Sequence, residues 1–169
     1  MKSLTRVELD SLLAVAEKHD PLHALMFLVT FNHGLRVSET LALTRANIVN
    51  GYLVVQRLKG SKRTSQPLQP NEREQLLALA AKTDGPLFST YRKHYQRLMI
   101  RYGAEAGIPR FKCTPHKLKH STGRLGYEGG MGLPEIQTWL GHINGKNTMV
   151  YLEASEEQAA NAFAAAIGG

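Results

Sequence analysis

The sequence has one cysteine, Cys113, and one tryptophan, Trp139. A lone cysteine excludes an internal disulfide framework and suits a reducing compartment. No apolar run approaches the roughly 18 residues that carry a helix across a bilayer. The opening residues, MKSLTRVELDS, hold no apolar stretch of the secretory kind. The expectation is therefore no leader and a cytoplasmic location. Internal repeats and low-complexity linkers are lacking too. Acidic residues are outnumbered: 14 Asp and Glu stand against 21 Lys and Arg, a formal charge of +7. That balance suits a polyanionic partner such as nucleic acid, and equally a basic protein that binds none. At 169 residues the chain can hold one ordinary domain with its own core and is short for two.

What is present reads as helices around a small sheet. Thr5 with Glu8 forms a capping box, and Leu9, Leu12, Leu13 and Ala16 follow at helical spacing to about Lys18. Asp20-Pro21 opens a second helix, apolar nearly all round and so central to the core, which stops near His33-Gly34. Asn50-Gly51 is a tight-turn dipeptide. Tyr52–Leu58 and Arg63–Leu68 read as a hairpin, with Arg57, Lys59, Lys62 and Arg63 near its tip. Such a tip can approach a phosphate, or simply protect a sheet edge. Pro70 to Lys82 is a helix with Leu76, Leu77, Leu79 and Ala80 inward, and Pro86-Leu87-Phe88 reads as a third strand. The next helix puts Tyr91, Tyr95, Leu98, Met99 and Tyr102 inward, with Arg92, Lys93, Arg97 and Arg101 mostly opposite.

The chemistry concentrates between Thr114 and Glu153. Pro115 opens a helix with His116, Lys119, His120 and Gly123 on one face. Pro134 opens another, with Ile136, Trp139 and Leu140 inward and Gly141 as its stop, so His142 stands just past a helix end. Asn147 to Leu152 reads as a short helix bearing Tyr151, and a small amphipathic helix from about Ser155 looks built to dock elsewhere. Arg36 follows the glycine turn, three residues before Glu39, as an oriented guanidinium or a surface pair beside a helix start. His116 and His120 lack the intervening glutamate of a zinc motif, and no metal is expected. His19 and His23, across a helix break, read as solvated.

Taken together, Arg36, Lys59, His116, Lys119, His142 and Tyr151 form a set that resembles the catalytic domain of tyrosine recombinases, the phage-integrase family. Gly34-Leu35-Arg36-Val37-Ser38-Glu39 looks like its first arginine box. Lys59-Gly60-Ser61-Lys62 before Pro67-Leu68 looks like its β-hairpin lysine segment. His116-Lys117-Leu118-Lys119-His120 is similar to its His-x-x-Arg box, with lysine in the arginine's place. Leu140-Gly141-His142 and Tyr151, nine residues further on, look like the last histidine and the nucleophile.

The resemblance implies an α+β, mainly helical fold with a small three-stranded antiparallel sheet. Residues 1–169 would form a single catalytic domain. The family's N-terminal core-binding domain is expected to be absent, and the helix of about 155–167 exchanged with a neighbouring protomer. It also implies site-specific DNA recombination, integration or excision, by a phage or mobile-element enzyme acting on nucleoid DNA. Tyr151 would attack a phosphodiester and form a 3′-phosphotyrosine, so neither metal nor ATP is required. Arg36, Lys119 and His142 would hold the non-bridging oxygens, where developing charge needs fixed cations. His116 would orient or deprotonate the nucleophile and Lys59 protonate the leaving 5′ oxygen. Glu39 and His120 would support the site. Arg57, Lys62, Arg63, Arg110, Lys112 and Lys117 would contact double-stranded DNA. A homotetramer on paired sites, monomeric without DNA, and accessory DNA-bending proteins are expected. Lysine lacks arginine's bidentate fork, so Lys119 predicts a slowed enzyme. Two other readings stay open: a type IB topoisomerase-like relaxing activity, and a catalytically weak DNA-binding remnant.

Overall fold

The computed structural model describes residues 3–58, 61–142 and 156–167. Helices α1 (Arg6–His19) and α2 (Pro21–His33) open the chain. Their starts follow from local chemistry. The Thr5 hydroxyl accepts from the Glu8 amide while Glu8 accepts from the Thr5 amide. The Asp20 carboxylate accepts from the Leu22 amide, with Pro21 pre-set in the first turn. Gly34 ends α2 in the left-handed region at φ 60°, a conformation glycine adopts without strain. Six-residue α3 (Val37–Ala42) follows at once.

The sheet is three-stranded and antiparallel in the order β1 (Ile48–Val49), β2 (Tyr52–Val55), β3 (Thr64–Pro67). Asn50 and Gly51, both at positive φ (51° and 81°), make the turn between β1 and β2, as an Asn-Gly pair favours. Val55 pairs with Thr64 and Tyr52 with Pro67. The sheet thus differs in membership from the sequence expectation. Its third strand lies before the Asn50 turn, whereas Pro86 forms only an isolated bridge to Thr44. Proline has no amide hydrogen to extend a ladder. Both hairpin strands are also shorter than expected, since the paired segment stops at Val55 and Thr64.

Four longer elements complete the fold: α4 (Arg73–Ala81), α5 (Arg92–Glu105), α6 (Pro115–Glu128) and α7 (Leu133–Leu140), with α8 (Glu156–Ile167) at the end. The central helix α2 packs against α1, α3 and α6, and α5 closes the other side against α1, α3 and α6. Phe27, Tyr95, Met99, Leu12 and Leu118 sit in this core with 2% exposure or less. Burying side chains of this size is the main stabilising contribution, about 1.5–3 kcal/mol each. Two expected core residues lie outside it. Tyr91 precedes the first turn of α5 and Leu77 falls on the outer side of α4; they are 58% and 39% exposed. His19 is exposed as expected, stacked on Tyr102 and bonded to Glu105, whereas His23 is half-buried, its ring against Tyr102 and bonded to the Tyr102 hydroxyl. No helix among the described residues is long and apolar enough to cross a membrane.

Candidate active site

The site forms where three helix ends meet the end of the hairpin at which Val55 pairs with Thr64. At the first, Gly34 turns α2 into α3, and Arg36 takes the N-cap position of α3. The Arg36 amide donates to Glu39 Oε1 at 2.7 Å. Its guanidinium Nη1 reaches Glu39 Oε2 at 3.5 Å and Ser61 Oγ at 3.4 Å, leaving the side chain one-third exposed. Glu39 is buried and also accepts the Leu58 amide and the Arg57 guanidinium. Burial pushes its carboxyl up, but the Arg36 amide, Arg57, the Leu58 amide and Lys119 outweigh that and hold it below the usual range.

At the second helix end, Thr114 caps α6 by accepting the Lys117 amide, and Pro115 starts the turn. Leu118 and Ser121 then face inward, the latter accepting the Leu4 amide. That orientation drives Lys119 beneath the α2 turn, where it is 3% exposed. Its ammonium donates to the Gly34 carbonyl at 2.9 Å. Burial, then Arg57 and Arg36, lower it to about 7, with Glu39 opposing. His116 lies at the rim, its ring centroid 4.2 Å from that of His120. Desolvation and the charges of Lys117, Lys119 and Arg36 lower His116. His120 falls further, to about 4, through desolvation and then His116, Lys117, Lys119 and His142.

The third helix end is α7. Gly141 closes it at φ 71°, and the Gly141 and His142 amides turn back onto Thr138 and Gln137. A Cβ on Gly141 would lie 2.8 Å from the Lys62 carbonyl oxygen, so only glycine allows the hairpin this close. The Lys62 amide donates to the Gly141 carbonyl at 2.7 Å, and Ser61 bridges His142. These bonds seat Ser61 and Lys62 beside Gly141 and His142, with Ser61 Oγ 3.4 Å from Arg36 Nη1. His142 is 5% exposed. Its imidazole is lowered to about 4 by burial and by Lys119, Arg36 and Arg57, so the ring is neutral at pH 7.

Arg36, His116 and Lys119 open onto one cavity of about 390 Å³, shared with Ser38, Leu58, Arg92, Gln96 and Thr114. A pocket lined by fixed cations and one imidazole is suited to an anionic oxygen cluster. Among the described residues no three His, Cys, Asp or Glu side chains group as metal ligands. The predicted site residues divide accordingly. Arg36, Glu39, His116, Lys119, His120 and His142 come together, whereas Lys59, Tyr151 and the expected helix over 147–152 lie outside the described residues.

Of the expected DNA contacts, Lys62, Arg63 and Arg110 are exposed and Lys117 is partly so. Two depart from expectation. Arg57 is not at an open tip but buried, 3% exposed, bonded to Glu39, Thr64 and the carbonyls of His33 and Gly34. Lys112 is 7% exposed and paired with Glu8 of α1 at 2.9 Å. The signal for Arg57 lies in the alternation Leu53, Val55, Arg57, which continues the inward face of β2. Ser38, Gln96 and Thr114, in the cavity wall, carry no signal in the sequence.

The profile of the phage integrase family matches residues 2–158. Tyrosine recombinase XerA of Thermococcus kodakarensis is 32% identical over 172 residues, covering 92% of this chain and 59% of the relative. The chain thus spans less than two thirds of the length of that curated relative. The structure of XerH site-specific recombinase bound to difH substrate superposes with a TM-score of 0.79 at 21% identity, covering all of this chain and 55% of the other. The catalytic domain of bacteriophage HP1 integrase gives a TM-score of 0.72 at 20% identity, with 100% and 99% of the two chains covered. With several motifs folded into one cavity and a profile that covers most of its length, the chain belongs to the phage integrase family, the tyrosine recombinases.

Proposed function

We propose that this chain is the DNA-cleaving and rejoining domain of a site-specific recombinase, acting on double-stranded DNA through a 3′-phosphotyrosine. The single observation that carries the reading is the convergence of Arg36, His116 and Lys119 on one cavity. Ser61 and the hairpin join them, drawn in by the bridge to His142. The Tyr151 phenol attacks a phosphodiester phosphorus, and the bond to the 5′ oxygen breaks. Lys59 supplies the proton to that oxygen, and His116, neutral near pH 7 because its pKa is lowered, takes the phenol proton. Arg36 and Lys119 hold the non-bridging oxygens in the transition state, with His142 donating a neutral hydrogen bond. A 5′-hydroxyl from a second strand then reverses the step, and the phosphotyrosine conserves the bond energy meanwhile.

DNA as the partner is supported by the DNA-bound relative above and by the chain's excess of basic residues. In α8 the described side chains are exposed, Phe163 at 64% and Ile167 at 68%. An apolar face left open in this way suits docking on a neighbouring protomer in a tetramer on paired sites. Deleting residues 156–169 is expected to leave cleavage intact and weaken assembly on DNA.

The test is covalent trapping on a nicked suicide substrate drawn from sequence flanking the gene. An adduct formed by the chain but not by Tyr151→Phe supports the reading. Relaxation of supercoiled DNA lacking such sites would favour a topoisomerase instead. Salt-sensitive binding with no adduct from any variant would favour a DNA-binding remnant.

A further inference from the structure

Arg57 and Lys119 share an acceptor. Arg57 Nη1 and Lys119 Nζ both donate to the Gly34 carbonyl, each at 2.9 Å. The two cations reach this oxygen from different directions, one from the hairpin and one from α6. The oxygen belongs to the turn that ends α2, and carbonyls at a helix C-terminus favour cations.

Every nitrogen of Arg57 is occupied. Nε donates to Thr64 Oγ1 at 2.8 Å, Nη2 to the His33 carbonyl at 2.7 Å, and Nη1 also to Glu39 Oε1 at 3.3 Å. Its side chain is wholly buried. Arg57 therefore does not touch a substrate. It fills the acceptors behind the cavity, including one oxygen of Glu39, whose other oxygen takes the Leu58 amide. An ammonium has three donors and no fixed plane. With Glu39 engaged by Arg57, Lys119 is anchored through the Gly34 carbonyl and lines the cavity.

We propose that Arg57 is a positioning residue: by holding Glu39 and the α2 turn, it keeps Lys119 from collapsing into an ion pair and directs its ammonium at the bound phosphate. The proposal rests on the phosphoryl-transfer reading of this site. It assigns the second cationic position of this chain to two residues, a lysine that faces substrate and an arginine locked behind it.

The charged and titratable groups facing Lys119 come from each element around it. Arg36 and Glu39 belong to α3 and Arg57 to the hairpin. His116 and His120 lie on its own helix, and His142 follows α7. Arg92 of α5 lines the same cavity. Among these, Arg57 is the largest charge holding Lys119 down. Removing it frees Glu39, the one carboxylate in this set.

The experiment is a titration of Lys119 by carbon-13 NMR on lysine-labelled protein, without DNA, in the unmodified chain, Arg57→Met and Arg57→Lys. Tyr151-dependent cleavage is measured on the same proteins. In Arg57→Met the Lys119 midpoint is expected to rise above about 7, as the Arg57 charge is gone and the ammonium pairs with Glu39, while burial, the first cause of the low value, remains. Cleavage at pH 6.5 should fall about tenfold or more, since one oxyanion donor is withdrawn. Arg57→Lys should keep the low midpoint, because a positive charge remains. A general loss of packing would not separate the two variants in this way. Should Arg57→Met lose its fold by thermal melting, Arg57→Gln makes the same comparison. An unchanged Lys119 midpoint in a folded Arg57→Met or Arg57→Gln protein would overturn the proposal. Failure of the unmodified chain to cleave DNA would overturn the recombinase reading instead, and the titration does not depend on it.

Discussion

His33 and Glu72 form a buried pair, Nε2 to Oε1 at 2.5 Å, with neither side chain exposed to solvent. The other ring nitrogen of His33 meets Gln66 Oε1 at 2.8 Å. The Gln66 amide nitrogen donates to the carbonyls of Trp139 and His33, which fixes its oxygen toward the ring. Glu72 accepts the Gln69 amide and the Asn32 side chain as well. One network thus joins α2, β3, the start of α4 and the end of α7. It lies one residue from the Gly34 turn and three from His142.

Removing the Glu72 carboxylate leaves the buried His33 Nε2, the Gln69 amide and the Asn32 side-chain amide without this acceptor. Glu72→Ala is therefore expected to lower stability by about 1–3 kcal/mol or more, the range for buried polar groups left unsatisfied. Urea denaturation at pH 7 measures it. A change below about 1 kcal/mol would mean that the pair contributes no more than an exposed one.

Gly141 offers a second, geometric test. It holds φ 71°, and an added Cβ would meet the Lys62 carbonyl oxygen at 2.8 Å. Backbone atoms on the hairpin must then move away, carrying Ser61 from His142. Gly141→Ala is expected to cost about 1–3 kcal/mol in stability through the strained left-handed backbone. Cleavage should fall by more than the unfolded fraction accounts for. Equal activity per folded molecule would show that the hairpin contact does not hold the site.

How much of this is legible in the sequence differs by the range of the interaction. Thr5 with Glu8, Asp20-Pro21 and Pro115 announce helix starts because these signals are local, within three residues of the first turn. Gly34 and Gly141 announce helix ends for the same local reason. The sheet is legible as to its hairpin, but Ile48–Val49 is two residues long, too short for alternation to register. Pro86-Leu87-Phe88 carries the apolar signal instead, and its burial comes from the core, not from a ladder. His33 with Glu72, and Lys112 with Glu8, are pairs that only tertiary folding creates. Arg57 reads as a tip residue because a basic side chain in a basic hairpin suggests solvent, although its strand parity points inward. The family's sequence boxes are legible as residues in order, while the placing of Arg36, His116, Lys119 and His142 rests on helix-end turns.

The lowered imidazoles predict acid sensitivity. His120 and His142 are each held at about 4, burial being the first cause. Between that value and an ordinary histidine near 6.5, the unfolded chain binds protons that the folded chain refuses. The imidazole contribution to stability should therefore be fully present above pH 6.5 and be lost as the pH falls toward 4. His142→Gln should flatten part of that decline, read by urea denaturation at several pH values. An identical pH slope in His142→Gln would mean that the acid sensitivity does not come from this imidazole.

Lys119 titrates in the opposite range and makes the sharpest prediction for activity. With a folded value of about 7, its charge is present below that pH and lost as the pH rises through it. A bound phosphate stabilises the ammonium, so in the DNA complex this loss occurs at a higher pH than in the free chain. Arginine keeps its charge throughout and adds a fork that matches two phosphate oxygens. Lys119→Arg is thus expected to raise single-turnover cleavage on a suicide substrate, by up to about 10² if the fork recovers a full oxyanion donor. The ratio of variant to parent rate should also widen on the alkaline side, by about tenfold per pH unit beyond the lysine's midpoint, as the neutral fraction grows. Stability carries its own signature. A lysine depressed in the folded state refuses protons that the unfolded chain binds between about pH 7 and its ordinary range. The parent should therefore gain stability as the pH rises through that window, by up to about 1.4 kcal/mol per unit. Lys119→Met should lose the gain. If the rate ratio stays flat from pH 6 to 9, Lys119 is not the cation on which the alkaline limb depends.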